Sequence, residues 1–354
     1  MRLAIVAGLL LLQPCSASAQ QQAPLELAPT SPWAMNYDAD SCALQRQFGA
    51  EGQEVFFEIR QFGPDVVPQM VVASRQLALG RGDTEVTILP IDGQSVEVDA
   101  YAVDMDEGYV GRMFERELLV DNAEEQALLA DFSAGWPGLD ENQRERLLLA
   151  RTMAQRWRDT QGNAREVAAR GYTNVVRSEA YRSIPRKFFQ DLRRQDSYRA
   201  LMAEQAGRVT AVLVEHGFER PVLLRTGSLA APLRAMNTCL DELMLHWGID
   251  VEAHRHLTRA AQPLDYDRLA REIVDNYPRE MLSQRQQAYI RVRLAVSPEG
   301  TTTACNLQND YNETTFERTV CEAMFEYARF EPALDAAGQP IASYYQINVV
   351  FRLG

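Results

Sequence analysis

The sequence predicts an α+β protein with two folded units: an N-terminal antiparallel β domain with a helical insertion, and a C-terminal β-β-α-β unit. Three observations carry this expectation. Apolar residues alternate with period two from about residue 33 to residue 121; the period turns helical over about 122–206; and the last part of the chain runs strand, strand, helix, strand between clear turn signals. The composition agrees. At 354 residues, 46% hydrophobic and 24% charged, the chain is neither a disordered tail, a collagen nor a coiled coil. The balance of 36 basic to 49 acidic side chains, a net charge of −13, excludes a nucleic-acid binder, which needs clustered positive charge. Lys187 is the sole lysine, so the positive charge is almost all arginine.

From the start, Met1-Arg2, the apolar run Leu3 to Leu12 and the exit Ala17-Ser18-Ala19 read as a secretory signal peptide over 1–19, cut after Ala19. The run is shorter than the roughly 20 residues of a spanning helix, and no later stretch is long enough to span. Cleavage removes Arg2 and leaves the mature chain one charge more negative. Residues 20–32, rich in Gln, Ala and Pro, read as a flexible lead-in. The N-terminal domain is expected over 33–255. Within it Val55, Phe57 and Ile59 alternate with Phe56 and Glu58, and Thr84 to Ile88 and Val96 to Val98 flank Asp92-Gly93 as a hairpin. The helical insertion covers about 122–206, with Leu147, Leu148, Ala150, Met153, Ala154 and Trp157 on one stripe. Strand character returns at Arg208 to His216, with Val209, Ala211, Leu213 and Glu215 sharing a face. A helix from Pro232 to Trp247 stops at Gly248.

Charge is segregated along this domain. Residues 20–140 hold 6 basic and 22 acidic side chains, whereas residues 141–208 hold 15 and 8. Either the helices are solvated with arginine stems on apolar surface, or the basic helices dock on the acidic sheet, an acidic partner or lipid headgroups.

Export changes how the cysteines read. Cys42, Cys239, Cys305 and Cys321 are an even set in an oxidising compartment, so disulfides are expected. Four cysteines allow three connectivities. The closeness of Cys305 and Cys321 in one compact segment favours Cys305–Cys321 with Cys42–Cys239. No CxxC spacing supports zinc.

After a linker over 256–275, the final unit over 276–354 begins. Ile290, Val292, Leu294 and Val296 alternate with Arg291 and Arg293, Pro298-Glu299-Gly300 turns the chain, and a more polar strand runs Thr301 to Leu307. Thr314 and Glu317 form a capping box ahead of a helix with Phe316, Val320, Ala323, Met324 and Tyr327 on one face. The last strand sets Tyr345, Ile347, Val349 and Phe351 against Gln346, Asn348 and Arg352. One helix can cover one face of such a three-stranded antiparallel sheet.

Tyr277-Pro278, Val292 to Gly300, Phe316-Glu317-Arg318, Ala323-Met324 and Arg329-Phe330-Glu331-Pro332, in that order, resemble the C-terminal domain of TonB, the periplasmic energy-transducing protein of Gram-negative bacteria. The resemblance spans under a quarter of the chain. It implies a periplasmic, non-catalytic binding or adaptor module that pairs its last strand with an extended segment of an envelope protein, an outer-membrane receptor included. By position it assigns partner contacts to Asn276, Tyr277 and Pro278 and to Gln346, Asn348 and Val350. TonB proteins carry an uncleaved membrane helix and a long proline-rich spanner, where this chain has a folded region. Binding without energy transduction is therefore expected.

Two other readings stand beside it. One is a periplasmic enzyme or inhibitor with its site in the N-terminal domain; the other is a scaffold whose C-terminal unit forms a homodimer. His254-x-His256 with His246 and Asp250 lacks converging metal geometry, and no nucleophile elbow, zincin motif or phosphate-binding glycine loop is present. No cofactor or metal is expected.

Overall fold

A computed structural model describes residues 23–49, 51–81, 83–90, 95–116, 131–135, 139–141, 143–144, 186–275, 288–308 and 314–351. The expected signal peptide, the tip of the Asp92-Gly93 hairpin and most of the expected helical insertion lie outside these residues.

The N-terminal domain is built on two sheets. Strands β1 (Leu25–Leu27), β2 (Ala34–Tyr37), β3 (Cys42–Phe48), β4 (Val55–Gln61), β5 (Gln69–Ser74), β6 (Thr84–Leu89), β7 (Val96–Val98), β8 (Ala100–Met105) and β9 (Tyr109–Glu115) are followed by helices α1 (Arg186–Arg194) and α2 (Asp196–Ala206). Strands β10 (Ala211–Glu215) and β11 (Val222–Leu224), then helix α3 (Ala230–His246), complete the domain, and the short helix α4 (Val251–Arg255) follows. One sheet has six strands in the order β2-β3-β4-β5-β9-β8 and the other five in the order β1-β11-β10-β6-β7. The six-stranded sheet is antiparallel throughout, whereas β1 runs parallel to β11.

Period two does what the sequence expects in β4. Val55, Phe57 and Ile59 enter the core shared by both sheets and α3. Phe56 instead packs against Tyr109 on the other face. Glu58, on that face, is buried rather than wet, and Arg60 and Gln45 donate to its carboxylate. A buried carboxylate needs such partners. Helix α3 buries Leu233, Met236, Cys239, Leu240 and Leu243 at helical spacing. A disulfide joins Cys239 to Cys42 at the head of β3, and a second joins Cys305 to Cys321.

Two expectations are corrected, and the face of one strand is settled. The flexible lead-in over 20–32 contains β1, whose Leu27 is buried, and Thr30 N–H donates to Gln47 O. In β10 Ala211, Leu213 and Glu215 share a face by alternation, and the opposite face carries Val212 and Val214 into the core. The linker over 256–275 belongs to the C-terminal unit. Strand β12 (Gln262–Pro263) pairs with β15 (Phe330–Glu331), and helix α5 (Tyr266–Asp275) places Leu269 and Ile273 in that unit's core.

The remaining elements are β13 (Ala288–Val296), β14 (Thr302–Leu307), α6 (Thr314–Tyr327), β16 (Ala333–Leu334), β17 (Pro340–Ile341) and β18 (Ser343–Phe351). The three long strands form an antiparallel sheet in the order β14-β13-β18. Ile290, Val292, Leu294, Val296, Ile347 and Val349 meet Val320, Ala323 and Met324 of α6. The side chains of Thr314, Phe316 and Glu317, including the expected capping box, lie outside the described residues. At the β13–β14 turn Gly300 adopts φ +80°, and a Cβ there would meet Phe330 O at 2.1 Å. A glycine is required.

Candidate functional site

The C-terminal sheet has an apolar face under α6 and a polar face formed by alternate residues of the same strands. Strand alternation alone dictates this. Much of the polar face does not meet water. It docks on the N-terminal domain through a series of matched contacts.

Arg293 of β13 donates from Nε and Nη2 to Asp40 Oδ1 at 3.0 and 2.6 Å, and its guanidinium lies 4.1 Å from the centre of the Trp247 ring. Arg291 donates to Glu115 and sits over the Phe62 ring. Both arginines are buried, so charge pairing and the aromatic faces replace their hydration. Gln308 Nε2 donates to Asp40 O at 2.9 Å and reaches Phe62 O, which Gln346 Nε2 also meets. On β18, Tyr344 donates its hydroxyl to Asp65, stacks on His254 with ring centres 5.1 Å apart and packs edge-on against Trp247. Asp65 also pairs with Arg194 of α1 at 2.9 Å. His254 Nε2 and Ser343 Oγ are 3.0 Å apart.

The receiving elements follow from local sequence. Asp40 sits in the turn between β2 and β3, where Ala39 O accepts from Trp247 Nε1 at 3.0 Å. Trp247 caps the C-terminus of α3, and Gly248 ends the helix at φ +76°. The Cys42–Cys239 disulfide ties this turn to α3, so one bridge fixes both walls around Arg293. The basic block of the expected helical insertion, in its described part, meets the loop between β4 and β5: Arg194 binds Asp65, and Arg193 donates to Asp65 O.

Burial governs the titration of this cluster. It pushes the Tyr344 hydroxyl well above its ordinary range, and the nearby Asp65 charge acts in the same direction. It lowers His254 from 6.5 to about 4; the positive charge of Arg194 adds to the fall and Asp65 opposes it. A histidine held neutral in the fold and free to protonate when unfolded contributes its full stability above about pH 6.5. That contribution is lost as the pH falls towards 4, at about 3 kcal/mol in all. His254→Gln keeps a polar partner for Ser343 and removes the titration. Urea unfolding of this variant should show a decline between pH 6.5 and 4 shallower than wild type by about that amount. Parallel pH profiles for the two proteins would show that His254 does not titrate on unfolding.

The outer edge of β18 is the second feature. Gln308 N–H donates to Arg291 O, so the backbone groups of Arg291 and Arg293 point to β14. Those of Ile290, Val292 and Leu294 point to β18, where Val349, Ile347 and Tyr345 answer them. The backbone groups of Tyr344, Gln346, Asn348 and Val350 therefore point away from the sheet. No strand among the described residues pairs with that edge.

The structure thus brings together some of the expected contact residues. Gln346 and Asn348 lie on the edge strand; the Gln346 side chain is engaged by Phe62 O and Gln308, and the Asn348 side chain is exposed. Val350 is in β18 opposite Tyr289, while its side chain lies outside the described residues, as do Asn276, Tyr277 and Pro278. His254 and His256 do not converge, because His254 is buried on Tyr344 and His256 is exposed beside Glu252. Among the described residues no group of three His, Cys, Asp or Glu side chains is arranged to hold a metal ion.

A sheet of order β14-β13-β18 with one covering helix, and a terminal edge that no described strand pairs with, is the arrangement that the motif resemblance leads one to expect. Residues 275–353 match the family described as Gram-negative bacterial TonB protein C-terminal. The match begins at the last residue of α5 and runs through β18. No curated protein matches the chain. The TonB-like unit is of an envelope type, and among the described residues no helix is long and apolar enough to cross a membrane.

Sequence reasoning missed Tyr344, Asp65, His254, Asp40, Glu115 and Trp247 as an interdomain cluster. A faint signal existed. Arg291 and Arg293 in a strand whose other face is wholly apolar are two cations on one sheet face, and the acidic excess over residues 20–140 supplies their counter-charge.

Proposed function

We propose that this protein is a non-catalytic periplasmic adaptor, exported by a cleaved signal peptide, that captures an extended segment of an envelope protein by strand addition to the outer edge of β18. The observation that carries this reading is the nine-residue edge strand with the backbone groups of Gln346 and Asn348 turned outward. Strand addition takes its affinity from such groups and its specificity from alternate side chains. The family match supports an envelope partner, an outer-membrane receptor being one candidate.

The non-catalytic part of the reading draws on the Ser343–His254 pair. These two residues have the separation of a nucleophile and its base. Both are buried, and the nearby carboxylate of Asp65 is engaged by Tyr344 and Arg194. This arrangement suits a packed contact rather than a substrate site.

The experiment places a photo-crosslinking amino acid at position 348 and, as control, at Thr303 on the opposite edge strand β14. A discrete adduct from position 348 alone is expected in cells. Equal adducts from both positions, or none from 348, would refute capture at β18. An adduct of twice the chain mass would identify a second copy instead of a partner. Asn348→Pro removes one outward N–H while sparing the β13 ladder, a substitution edge strands accept. It should weaken capture about tenfold, the value of roughly one backbone hydrogen bond.

A further inference from the structure

The docking contacts and the free edge share one strand, and their positions along it are informative. Ser343, Tyr344 and Gln346 are each held by the N-terminal domain, through His254, Asp65 and Phe62 O. Tyr345, between them, turns inward against Phe330. Asn348, two residues beyond Gln346, is exposed. The first half of β18 is thus clamped on its face, and the backbone edge along the strand is left open. The other two strands are held by the same surface, β13 through Arg291 and Arg293, β14 through the adjoining Gln308.

A terminal strand bordered on one side in a small sheet belongs to the part of a fold that opens most readily. An incoming strand gains its hydrogen bonds only if that template is already extended, since ordering it at the moment of binding subtracts from affinity. Here the face contacts supply the ordering. Gly63 lies over the strand closely enough that a Cβ would meet Gln346 Oε1 at 3.2 Å and the Tyr344 hydroxyl at 3.3 Å. The contact is tight, and it approaches from the face rather than the edge.

We infer that the N-terminal domain acts as a clamp on the capture strand: docking of Asp40, Glu115 and Asp65 against the polar face of the sheet orders β18, so that docking and strand capture reinforce each other. The capture half of this inference rests on the function proposed above. The sign of the coupling follows from the geometry, because the described residues of the clamp cover the face and leave the edge free. A domain that blocked the edge would inhibit capture; this one prepares it. Coupling of this kind is reciprocal, so an occupied edge also holds the two units together by the same factor.

The test uses the full chain with Asp65→Asn and with the Asp40→Asn/Glu115→Gln double variant, none of which alters the TonB-like unit. Amide hydrogen exchange is followed by NMR at Tyr345, Ile347 and Val349, whose N–H groups bond to β13, and at Phe57, Val71 and Val72 in the N-terminal sheet. Exchange at least tenfold faster in β18, with the N-terminal amides unchanged, is the expected result. Unchanged β18 amides would overturn the clamp, and so would equal acceleration at all six positions, which is general destabilisation. The crosslinking yield from position 348 is then compared in wild type and Asp65→Asn. A parallel fall in yield supports coupling; a constant yield with accelerated exchange overturns it. Absence of any adduct in wild type, with accelerated exchange in the variants, would remove the capture reading and leave the clamp standing.

Discussion

Replacement of both Cys42 and Cys239 by alanine is expected to lower the free energy of unfolding by about 5 kcal/mol. The two cysteines are 197 residues apart. In the chain-entropy description a cross-link of that span removes more freedom from the unfolded chain than a short one, and losses of native bridges run to about this size. The effect has a local component. Cys42 opens β3 directly after the turn that carries Asp40, and Cys239 lies two turns before Trp247 on α3. Without the bridge, the two walls around Arg293 are joined by the Trp247–Ala39 hydrogen bond and by packing alone. Alanine keeps hydroxyls out of a fully buried site. Equilibrium urea unfolding of the oxidised protein against the double variant measures the difference; a loss below about 1 kcal/mol would mean that the bridge does not constrain the unfolded chain.

The second large effect is expected at Arg293. Arg293→Ala should destabilise the protein by about 3–5 kcal/mol, the cost of removing one member of a buried ion pair. Its side chain is 7% exposed and that of Asp40 18%, so water screens the pair little. Three losses combine: Asp40 keeps its charge with its partner gone, the Trp247 ring loses the guanidinium above it, and the packed stem disappears. A double-mutant cycle with Asp40→Asn separates them. The double variant should be more stable than the sum of the single losses implies, with a coupling of about 2 kcal/mol. Additive losses would show that the pair contributes packing without charge pairing.

Much of this architecture is written in short-range patterns. The alternation of Val55, Phe57 and Ile59 gives a strand and names its core face, and the alternation of Ile290, Val292 and Leu294 does the same in β13. Such a pattern separates two faces of a strand without saying what covers the polar one. Arg291 and Arg293 look identical in sequence whether they face water or a second domain. Their partners Glu115 and Asp40 are 176 and 253 residues away, and no local rule connects them. The core face of β10 stayed open for a different reason. Five residues with Ala, Val and Leu on both sides give a weak alternation, so either register fits the pattern, and burial between β6 and β11 decides it. The lead-in misled for want of length: Leu25 and Leu27 offer a single alternation between prolines, and their order comes from β11 rather than from themselves. The helix α5 could have been found. Leu269 and Ile273 stand four apart, the spacing that marks an inward stripe.

The pairing of β1 with β11, and of β6 with β10, also joins segments far apart in the chain. The five-stranded sheet draws its members from residue 25 and from residue 224, so it closes late, since pairings between distant segments form slowly. The TonB-like sheet draws on residues 288–351 and is built from neighbours. Its hairpin and helix can therefore form independently of the five-stranded sheet. Until the two units meet, Arg291, Arg293 and Tyr344 stand in water, and docking is what takes them out of it.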